Sequence, residues 1–462
     1  MLDMMSRLGI SISKIFERIV PDPFVIAILL TVFTAIMALI FGDFDGNPKL
    51  TALFDSWRDS ESGIWKLLAF AMQMCLVLVT GYALATTTSI KKCIDVLSDI
   101  PKSTASAAAL VGFIACVCGL LNWGLGLIVG ALLAREVGFS LQRRNIKAHY
   151  PLIVAAGYVG LLVWHGGLSG SAPLSMTTVE GASKVVPAEY LDSVSAVLLS
   201  DSIGSSLNFF VSGGMLILIP LLLMVLAPKR TEDIRSIGEF GVDPAPEYET
   251  IENATIPDKL NHSPVIAWLL AIPLLIALGR YIWVSGVDRI GLNEITVFML
   301  GIGLLLHGSP LSYMRAITQG ARGCGGIIIQ FPLYAGIMAM MVASGLMGQL
   351  TELMLSVGTQ ETIPILTMIS AGIVNLFVPS GGGQWAIQAP IALESGLQAG
   401  IAPGTMVMAV AYGDELTNML QPFWALPLLA ITGVRARDIV GYTALIMVVV
   451  AVWIAFGLWV AG

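Results

Sequence analysis

Long apolar runs dominate the chain and predict helices that cross a membrane. A run of about 17–25 apolar residues is long enough to span the hydrocarbon core of a bilayer. Uninterrupted runs of this kind occupy residues 24–42, 63–87, 203–227, 265–284, 293–307, 324–347 and 438–461. Residues 1–19 instead place their apolar side chains on one helical face, which predicts an interfacial helix ahead of the first span. The pattern therefore predicts an all-α polytopic membrane protein.

Four shorter apolar runs form two pairs, each separated by a glycine-rich interruption. Residues 104–121 and 125–139 flank Asn122-Trp123-Gly124-Leu125-Gly126, and residues 361–378 and 384–398 flank Pro379-Ser380-Gly381-Gly382-Gly383. We interpret each pair as a re-entrant helical hairpin with the interruption at its tip.

Two longer runs break midway and predict broken transmembrane helices. Residues 150–174 are interrupted at 164–171, and residues 403–432 are interrupted between Asp414 and Pro422. Backbone without helical hydrogen bonds is too costly against lipid, so such breaks must line protein or a water-filled cavity.

Positive charge predicts the topology, because Lys and Arg concentrate on the cytoplasmic side of membrane proteins. If both hairpins are re-entrant, 18 of the 24 Lys and Arg residues fall in segments on one side: the N-terminus, 88–103, 135–149, 228–262, 308–323 and 433–438. The first hairpin then opens to the cytoplasm and the second opens outward. The charge bias would be the same if each hairpin were a pair of full spans, so the re-entrant interpretation rests on the short, glycine-broken arms.

An internal repeat relates the two halves of the chain. Four pairs recur at offsets of about 254 residues: Gln73 and Gln330, Asn122 and Asn375, Tyr158 and Tyr412, and Pro173-Leu174 and Pro427-Leu428. Each unit contains a span, a hairpin, a broken helix and a span, and the charge pattern gives the two units opposite orientation. Inverted repeats of this kind are typical of secondary transporters. The predicted organisation is an N-terminal half (1–227), a cytoplasmic linker without a function of its own (228–262) and a C-terminal half (263–462).

Composition agrees with a membrane protein and argues against several functional classes. Apolar residues make up 56% of the chain and charged residues 12%, against about 25% charged in soluble domains. Mean hydropathy is +0.84, and the net charge of −7 gives no basic surface for nucleic acid. The four histidines are scattered, so no protein metal site is expected beyond a possible Na⁺ site. No nucleotide-binding motif, catalytic constellation or cofactor motif is recognisable, so we expect neither an enzyme nor a bound cofactor.

The hairpin tips and helix breaks predict a binding site for a small carboxylate. A helix N-terminus presents unpaired N–H groups and a partial positive charge, and exposed carbonyls nearby suit a cation. The substrate-binding candidates are Asn122, Trp123, Gly124, Gly126, Ser169, Ser171, Ser380, Gly381, Gly382, Gly383, Gln384, Asn418 and Gln421. Purely structural roles are the alternatives: the glycines would permit close helix packing, and the polar side chains would cap helix ends.

Coupling to a cation is predicted from a second group of polar residues. The candidates are Asn122, Asn375, Ser380, Asp414 and Glu415, and the last two are the only acidic residues placed at membrane depth. Charge at that depth is costly and usually functional, although the acids could also sit in a wet vestibule or pair with a helix end. Sodium could bind the asparagines, and protons could bind the acids. His165 stands at a predicted break and is interpreted as structural, without an assigned role.

Several motifs together resemble the bacterial short-chain fatty acid transporter family, and the resemblance runs nearly end to end. They include Asn122-Trp123-Gly124-Leu125-Gly126, Phe377-Val378-Pro379-Ser380-Gly381-Gly382-Gly383 and Gln421-Pro422-Phe423-Trp424-Ala425-Leu426-Pro427. The resemblance implies uptake of short carboxylates such as butyrate or acetoacetate across the bacterial cytoplasmic (inner) membrane. It also implies kinship with the ion transporter superfamily, in which homodimers work by an elevator motion. His165 and the Asp414-Glu415 pair depart from the family pattern, so no family role transfers to His165 and the resemblance does not specify the coupling chemistry.

The combined expectation is a cation-coupled secondary transporter for short monocarboxylates that works by alternating access. Its N-terminus would be cytoplasmic and its C-terminus periplasmic. The alternative is an exporter or exchanger of organic anions, since the direction of transport is not encoded locally.

Overall fold

The computed structural model describes residues 23–44, 46–59, 63–66, 68–177, 179–183, 186, 194, 196–242, 255–286, 292–346, 348–349, 358–377, 379 and 381–461. These residues are all-helical, with no strand among them. The predicted interfacial helix at residues 1–19 and the candidate site residue Ser380 lie outside the described residues.

The helices follow the predicted spans closely. In the N-terminal half they are α1 (Pro23–Phe41), α2 (Lys49–Arg58), α3 (Leu68–Ala85), α4 (Thr88–Ser98), α5 (Thr104–Leu121), α6 (Trp123–Arg143), α7 (Tyr150–Tyr158), α8 (Ser171–Ser175), α9 (Val179–Ala182) and α10 (Ser206–Leu226). Helix α11 (Ile256–Asn261) lies in the linker. In the C-terminal half the helices are α12 (Pro264–Ser285), α13 (Leu292–His307), α14 (Pro310–Ala321), α15 (Gly325–Ala343), α16 (Ile363–Phe377), α17 (Gly381–Gln398), α18 (Pro403–Thr417), α19 (Pro422–Thr432) and α20 (Ala436–Ala461).

The apolar exteriors of these helices agree with a multi-pass membrane protein. Among the described residues, six helical segments are long and apolar enough to cross a bilayer, or up to eight if two strongly bent pairs each count as one span. Large apolar side chains on α1, α12 and α20 face outward, including Leu29, Leu269 and Val452. Such surfaces would be unfavourable in water and are suited to lipid.

The two arms of each predicted hairpin are consecutive helices that pack against each other, α5 on α6 and α16 on α17. A single residue, Asn122, separates α5 from α6, so the first interruption is shorter than the predicted stretch of five residues. In the second hairpin the glycines begin α17 and do not precede it. Arms α5 and α6 contain 18 and 21 residues, and each is long enough by itself to cross a membrane. The re-entrant path and the inverted orientation of the two units therefore remain predictions.

The helix breaks differ from the predicted positions. In the first, α7 ends at Tyr158 and 3-10 turns follow at Val159–Leu162 and Trp164–Gly166, so the break begins before residue 164. The early ending coincides with Gly160, whose backbone lies against Ala115 of α5 so closely that a Cβ could not fit. The second break occupies Asn418–Gln421. Asp414 and Glu415 lie on the intact helix α18, one turn before the break.

The two halves of the sequence share one core. Helix α6 packs against α7 and α19, α18 packs against α8, α16 and α17, and α10 packs against α20. Helices α1, α3 and α12 to α15 form a more peripheral group that touches this core mainly through α3 and α15. Close backbone contact holds the core together: a Cβ added at Gly130 of α6 would collide with the carbonyl of Gly157 on α7.

The described part of the linker is anchored to both halves. The Arg235 guanidinium lies 2.8 Å from the Asp438 carboxylate, and the Arg235 backbone N–H donates to His149 Nδ1 at 3.1 Å. Tyr442 and His149 Nε2 are joined at 2.9 Å. Burial, together with the nearby Arg235 charge, lowers the pKa of His149 from 6.5 to about 3. His149 is therefore a neutral hydrogen-bonding residue at this junction.

Candidate substrate and cation site

The first hairpin tip is ordered by hydrogen bonds from its own side chains. Asn122 has an extended backbone (φ −161°), and its Oδ1 accepts from the N–H groups of Gly124 and Leu125 at 2.9 and 3.1 Å. The Trp123 N–H donates to Ser169 Oγ at 3.0 Å. Asn122 is thus the N-cap of α6. Its Nδ2 is buried and makes no hydrogen bond within the described residues, so the side chain offers a ligand a donor.

Each tip lies against the broken helix of the other half. A Cβ built on Gly381 would stand 2.9 Å from both the Trp164 and the His165 rings, which are themselves stacked 4.2 Å apart. The Trp123 ring in turn meets Trp424 of α19 edge-on, with 5.2 Å between ring centroids. In this structure the second tip is therefore closed onto the first helix break, without room for a side chain between them.

Asn375, the predicted repeat partner of Asn122, leaves the other atom of its amide group free. Its Nδ2 lies 2.8–3.0 Å from three acceptors, namely the Asp414 carbonyl, Thr417 Oγ1 and Asn418 Oδ1. Its Oδ1 is buried and makes no hydrogen bond within the described residues. Asn375 therefore offers an acceptor, which suits a cation.

Gln421 ties the second break to the second hairpin. Its Nε2 donates to the carbonyls of Asn375 and Leu376 at 2.9 and 2.8 Å, which are among the last carbonyls of α16. The Tyr158 hydroxyl lies 2.8 Å from the Asn418 carbonyl and 2.9 Å from the Gln421 carbonyl. Carbonyls released by the break are thus bound by a side chain from the N-terminal half, which keeps the break stable inside the protein.

A buried ionisable cluster joins the two broken helices. His165 Nδ1 lies 3.2 Å from Asp414 Oδ1, and the His165 backbone N–H donates to Glu415 Oε2 at 2.9 Å. His165 Nε2 accepts from the Ala172 N–H at 3.1 Å. Because Nε2 is an acceptor there, the proton of the neutral ring is on Nδ1, which lies near Asp414 but makes no hydrogen bond within the described residues.

Unpartnered buried polar atoms concentrate around these contacts. A buried polar atom without a hydrogen bond costs free energy, so a group of them is suited to binding a polar ligand. Within the described residues of the hairpins and helix breaks, they include the nitrogens Asn122 Nδ2, Trp164 Nε1, His165 Nδ1 and Trp385 Nε1 and the oxygens Asn375 Oδ1, Gln384 Oε1, Asp414 Oδ2 and Glu415 Oε1.

The structure gives other predicted site residues mainly local contacts. Gly126 packs on Gly119 of the adjacent arm, and the Gly124 N–H is already bonded to Asn122. Gln384 Nε2 donates to the Ala371 carbonyl and to Gln388 Oε1, both at 2.8 Å. A Cβ built on Gly382 would lie 3.9 Å from the Cβ of Ser171, and Gly383 is the third residue of α17.

Sequence reasoning missed the central position of His165 and of Trp164. Both residues belong to the predicted interruption of the first broken helix, and this position was the only feature of the sequence that pointed to a role in the site. A lone histidine has no spacing pattern that indicates a partner, because Asp414 and Glu415 lie about 250 residues away in the chain. Only the tertiary structure shows that His165 contacts both acids.

Comparisons with known proteins agree with the resemblance seen in the sequence motifs. The family described as "Short chain fatty acid transporter" matches residues 4–461. A protein of Escherichia coli (strain K12) is 36% identical over 95% of this chain and 96% of its own length. A protein of Haemophilus influenzae (strain ATCC 51907 / DSM 11121 / KW20 / Rd) is 36% identical over 96% of this chain and 97% of its own length. Both are proposed, by their names, to be short-chain fatty acid transporters.

Among solved structures, the YdaH transporter of Alcanivorax borkumensis is 14% identical, covers 94% of this chain and 98% of its own, and superposes with a TM-score of 0.45. At this TM-score the superposition is not evidence for a shared function. The family match and the two relatives, by contrast, extend over nearly the whole chain, and the family and both relatives are named as transporters, not as enzymes. The chain is a multi-pass membrane protein that belongs to the short-chain fatty acid transporter family.

Proposed function

We propose that this protein takes up short-chain fatty acids and related small monocarboxylates, such as butyrate and acetoacetate, together with Na⁺ or H⁺. The observation that carries the proposal is the chemical difference between the two hairpins. Asn122 offers a buried donor to a carboxylate, whereas Asn375 offers a buried acceptor to a cation. Binding an anion and a cation at adjacent hairpins would couple their movement, because burying the anion without the cation would leave its charge uncompensated.

Alternating access would follow from movement of the second tip. Gly381 lies directly on the Trp164 and His165 rings, so a substrate could reach these residues only after the tip has moved away. The shared core of hairpins and broken helices would then move against the peripheral helices, as in an elevator. The core contacts the peripheral helices mainly through α3 and α15, so only a limited interface would have to rearrange during this movement.

We further propose that the protein acts in the bacterial cytoplasmic membrane as a homodimer. Its N-terminus would be cytoplasmic and its C-terminus periplasmic, in accordance with the bias of Lys and Arg. These proposals rest on the charge pattern and the family, and cysteine labelling from either side of the membrane tests the orientation.

The decisive experiment is uptake of radiolabelled butyrate into proteoliposomes under separately imposed sodium and pH gradients. Protein-free liposomes are the essential control, because protonated butyrate crosses lipid unaided. Saturable uptake above this control under either gradient is expected. If neither gradient drives such uptake, the substrate proposal fails and an exporter or exchanger of other organic anions becomes the better interpretation.

A further inference from the structure

His165 connects acids that belong to the other half of the chain. It lies on the 3-10 turn Trp164–Gly166, is fully buried, and contacts Asp414 through its ring and Glu415 through its backbone N–H. Asp414 and Glu415 are themselves at most 1% exposed. The three residues thus form one buried cluster at the contact between the two helix breaks.

No basic side chain balances the two acids. Among the described residues neither carboxylate forms an ion pair with Lys or Arg. The other ionisable groups that face the pair are His165, Cys116 of α5 and Tyr412 on α18. Of these three side chains, only histidine can carry a positive charge. Two adjacent carboxylates without a basic partner are too costly to bury in the fully ionised form. At least one positive charge must therefore bind here for the closed core to be stable.

The hydrogen bonds leave one oxygen free on each acid. Glu415 Oε2 accepts from the His165 N–H and Asp414 Oδ1 faces His165 Nδ1, whereas Glu415 Oε1 and Asp414 Oδ2 make no hydrogen bond within the described residues. A sodium ion, as a hard cation, needs several oxygen ligands at once. A proton needs a single oxygen. The groups of His165 that contact the two acids are nitrogens, which cannot serve as oxygen ligands of a sodium ion.

We propose that Asp414 and Glu415 share one transported proton, and that His165 is the positioning residue that prepares them to bind it. This inference rests on the proposed cation-coupled transport and specifies the cation as H⁺. The proton would bind to Asp414 Oδ2 or Glu415 Oε1, and it belongs to the pair and not to either residue alone. His165 Nε2 already accepts a hydrogen bond from the Ala172 N–H, so the free oxygens of the two acids are the proposed binding positions.

Proton binding can be measured without any transport. Infrared difference spectra of the purified protein between acidic and alkaline buffer, without sodium, report the carbonyl band of protonated carboxyl groups. We expect a buried-carboxyl band in the wild type that is lost or shifted in Asp414→Asn and Glu415→Gln. The variant Asp201→Asn, which changes an exposed acid, should leave the band unchanged. A spectrum in which neither site variant alters the band would overturn the proposal, whatever the protein transports.

Uptake separates the proton proposal from the proposed function. Asparagine and glutamine mimic the protonated acids, so Asp414→Asn and Glu415→Gln should lose pH-driven accumulation of butyrate by about tenfold or more while butyrate exchange continues. Exchange also shows that the variants fold. Wild-type accumulation driven by sodium alone would refute the proton and retain the transporter. Absence of any saturable uptake would refute the proposed function, and the infrared result would still decide whether the pair binds protons.

The role of His165 can be tested by a pair of substitutions. His165→Asn places an amide N–H group near Asp414, where Nδ1 lies, whereas His165→Leu preserves size without an N–H group. We expect the pH profile of uptake to stay near the wild type in His165→Asn and to shift upward by about one pH unit or more in His165→Leu. Loss of the polar nitrogen 3.2 Å from Asp414 Oδ1 weakens the electrostatic stabilisation of the carboxylate, and one pH unit corresponds to an about tenfold change in proton affinity. Equal profiles for the two variants would show that His165 does not position the acids.

Discussion

At the scale of single residues, two asparagines at positions predicted to be repeat-related offer a ligand different atoms. Asn122 uses its oxygen to cap α6, so that only its amide nitrogen remains for a ligand. Asn375 uses its nitrogen to bind groups on α18 and the second break, so that only its oxygen remains. The difference arises from the neighbours of each asparagine. The N–H groups at the start of α6 need an acceptor from Asn122, whereas the oxygens of α18 and the second break need a donor from Asn375.

The substitution Asn122→Asp tests this assignment. A carboxylate oxygen can still cap α6, so the hairpin should remain folded, but the donor is replaced by a negative charge. We expect KM for butyrate uptake to rise by about tenfold or more, equivalent to about 1.4 kcal/mol of binding free energy. Asn261→Asp, at an exposed position ending α11, provides the matched control. Unchanged KM in Asn122→Asp would remove Asn122 from the carboxylate site.

At the scale of secondary-structure elements, the breaks are stable because the opposite half of the chain satisfies their backbone. The Tyr158 hydroxyl serves the carbonyls of Asn418 and Gln421. Its repeat partner Tyr412 bonds Asn208 Oδ1 on α10 at 3.1 Å, and Asn208 Nδ2 in turn bonds the Gly166 carbonyl at 2.7 Å. The paired tyrosines thus support both breaks, one directly and one through an asparagine.

Removing one of these hydroxyls should destabilise the break. In Tyr158→Phe the two carbonyls lose a buried donor, which costs about 1–3 kcal/mol. We expect a lower midpoint of thermal unfolding in detergent and slower uptake. Tyr313→Phe is the matched control, because the buried Tyr313 hydroxyl makes no hydrogen bond within the described residues. If the two variants unfold at the same temperature, the Tyr158 hydroxyl does not support the break.

At the scale of the whole molecule, the halves are joined by their shared core and by the linker. Helices of one half pack on hairpins of the other, so neither half could bury its apolar faces alone. The linker adds a polar junction at which Arg235 meets both His149 and Asp438. A protein assembled this way is expected to unfold as one cooperative core, with the linker junction contributing to its stability.

The linker junction should make stability dependent on pH. The pKa of His149 falls from 6.5 to about 3 on folding, so the unfolded chain binds a proton more readily than the folded one. The stabilising effect of a neutral His149 is complete above about pH 6.5 and is lost progressively as the pH falls toward 3. When the pH is lowered from 7.5 to 5, we expect the midpoint temperature of unfolding to decrease in the wild type. The decrease should be smaller in His149→Asn, because asparagine does not titrate. His262→Asn should retain the wild-type dependence, and an identical decrease in all three proteins would contradict the prediction.

The amino-acid sequence by itself determined the membrane class, the family and most helix bounds. Apolar length decides whether a segment spans a bilayer, and that property belongs to the segment alone. For the same reason the helix pairs of both predicted hairpins and both breaks could be located from interruptions in the apolar pattern. The positions of the breaks were less accurate, because Asp414 and Glu415 proved to lie on intact helix α18, where the helical hydrogen bonds are kept up to Thr417.

Only the tertiary structure decided which groups meet and what each can offer a ligand. The contact between His165 and the two acids joins residues about 250 positions apart, and no local pattern encodes such a distance. Likewise, Asn122 and Asn375 are equivalent in sequence, and their neighbours alone determine which amide atom remains available. The physical reason is general: burial and spacing along the chain are local properties, whereas the partner of a buried polar group depends on the packing of the whole core.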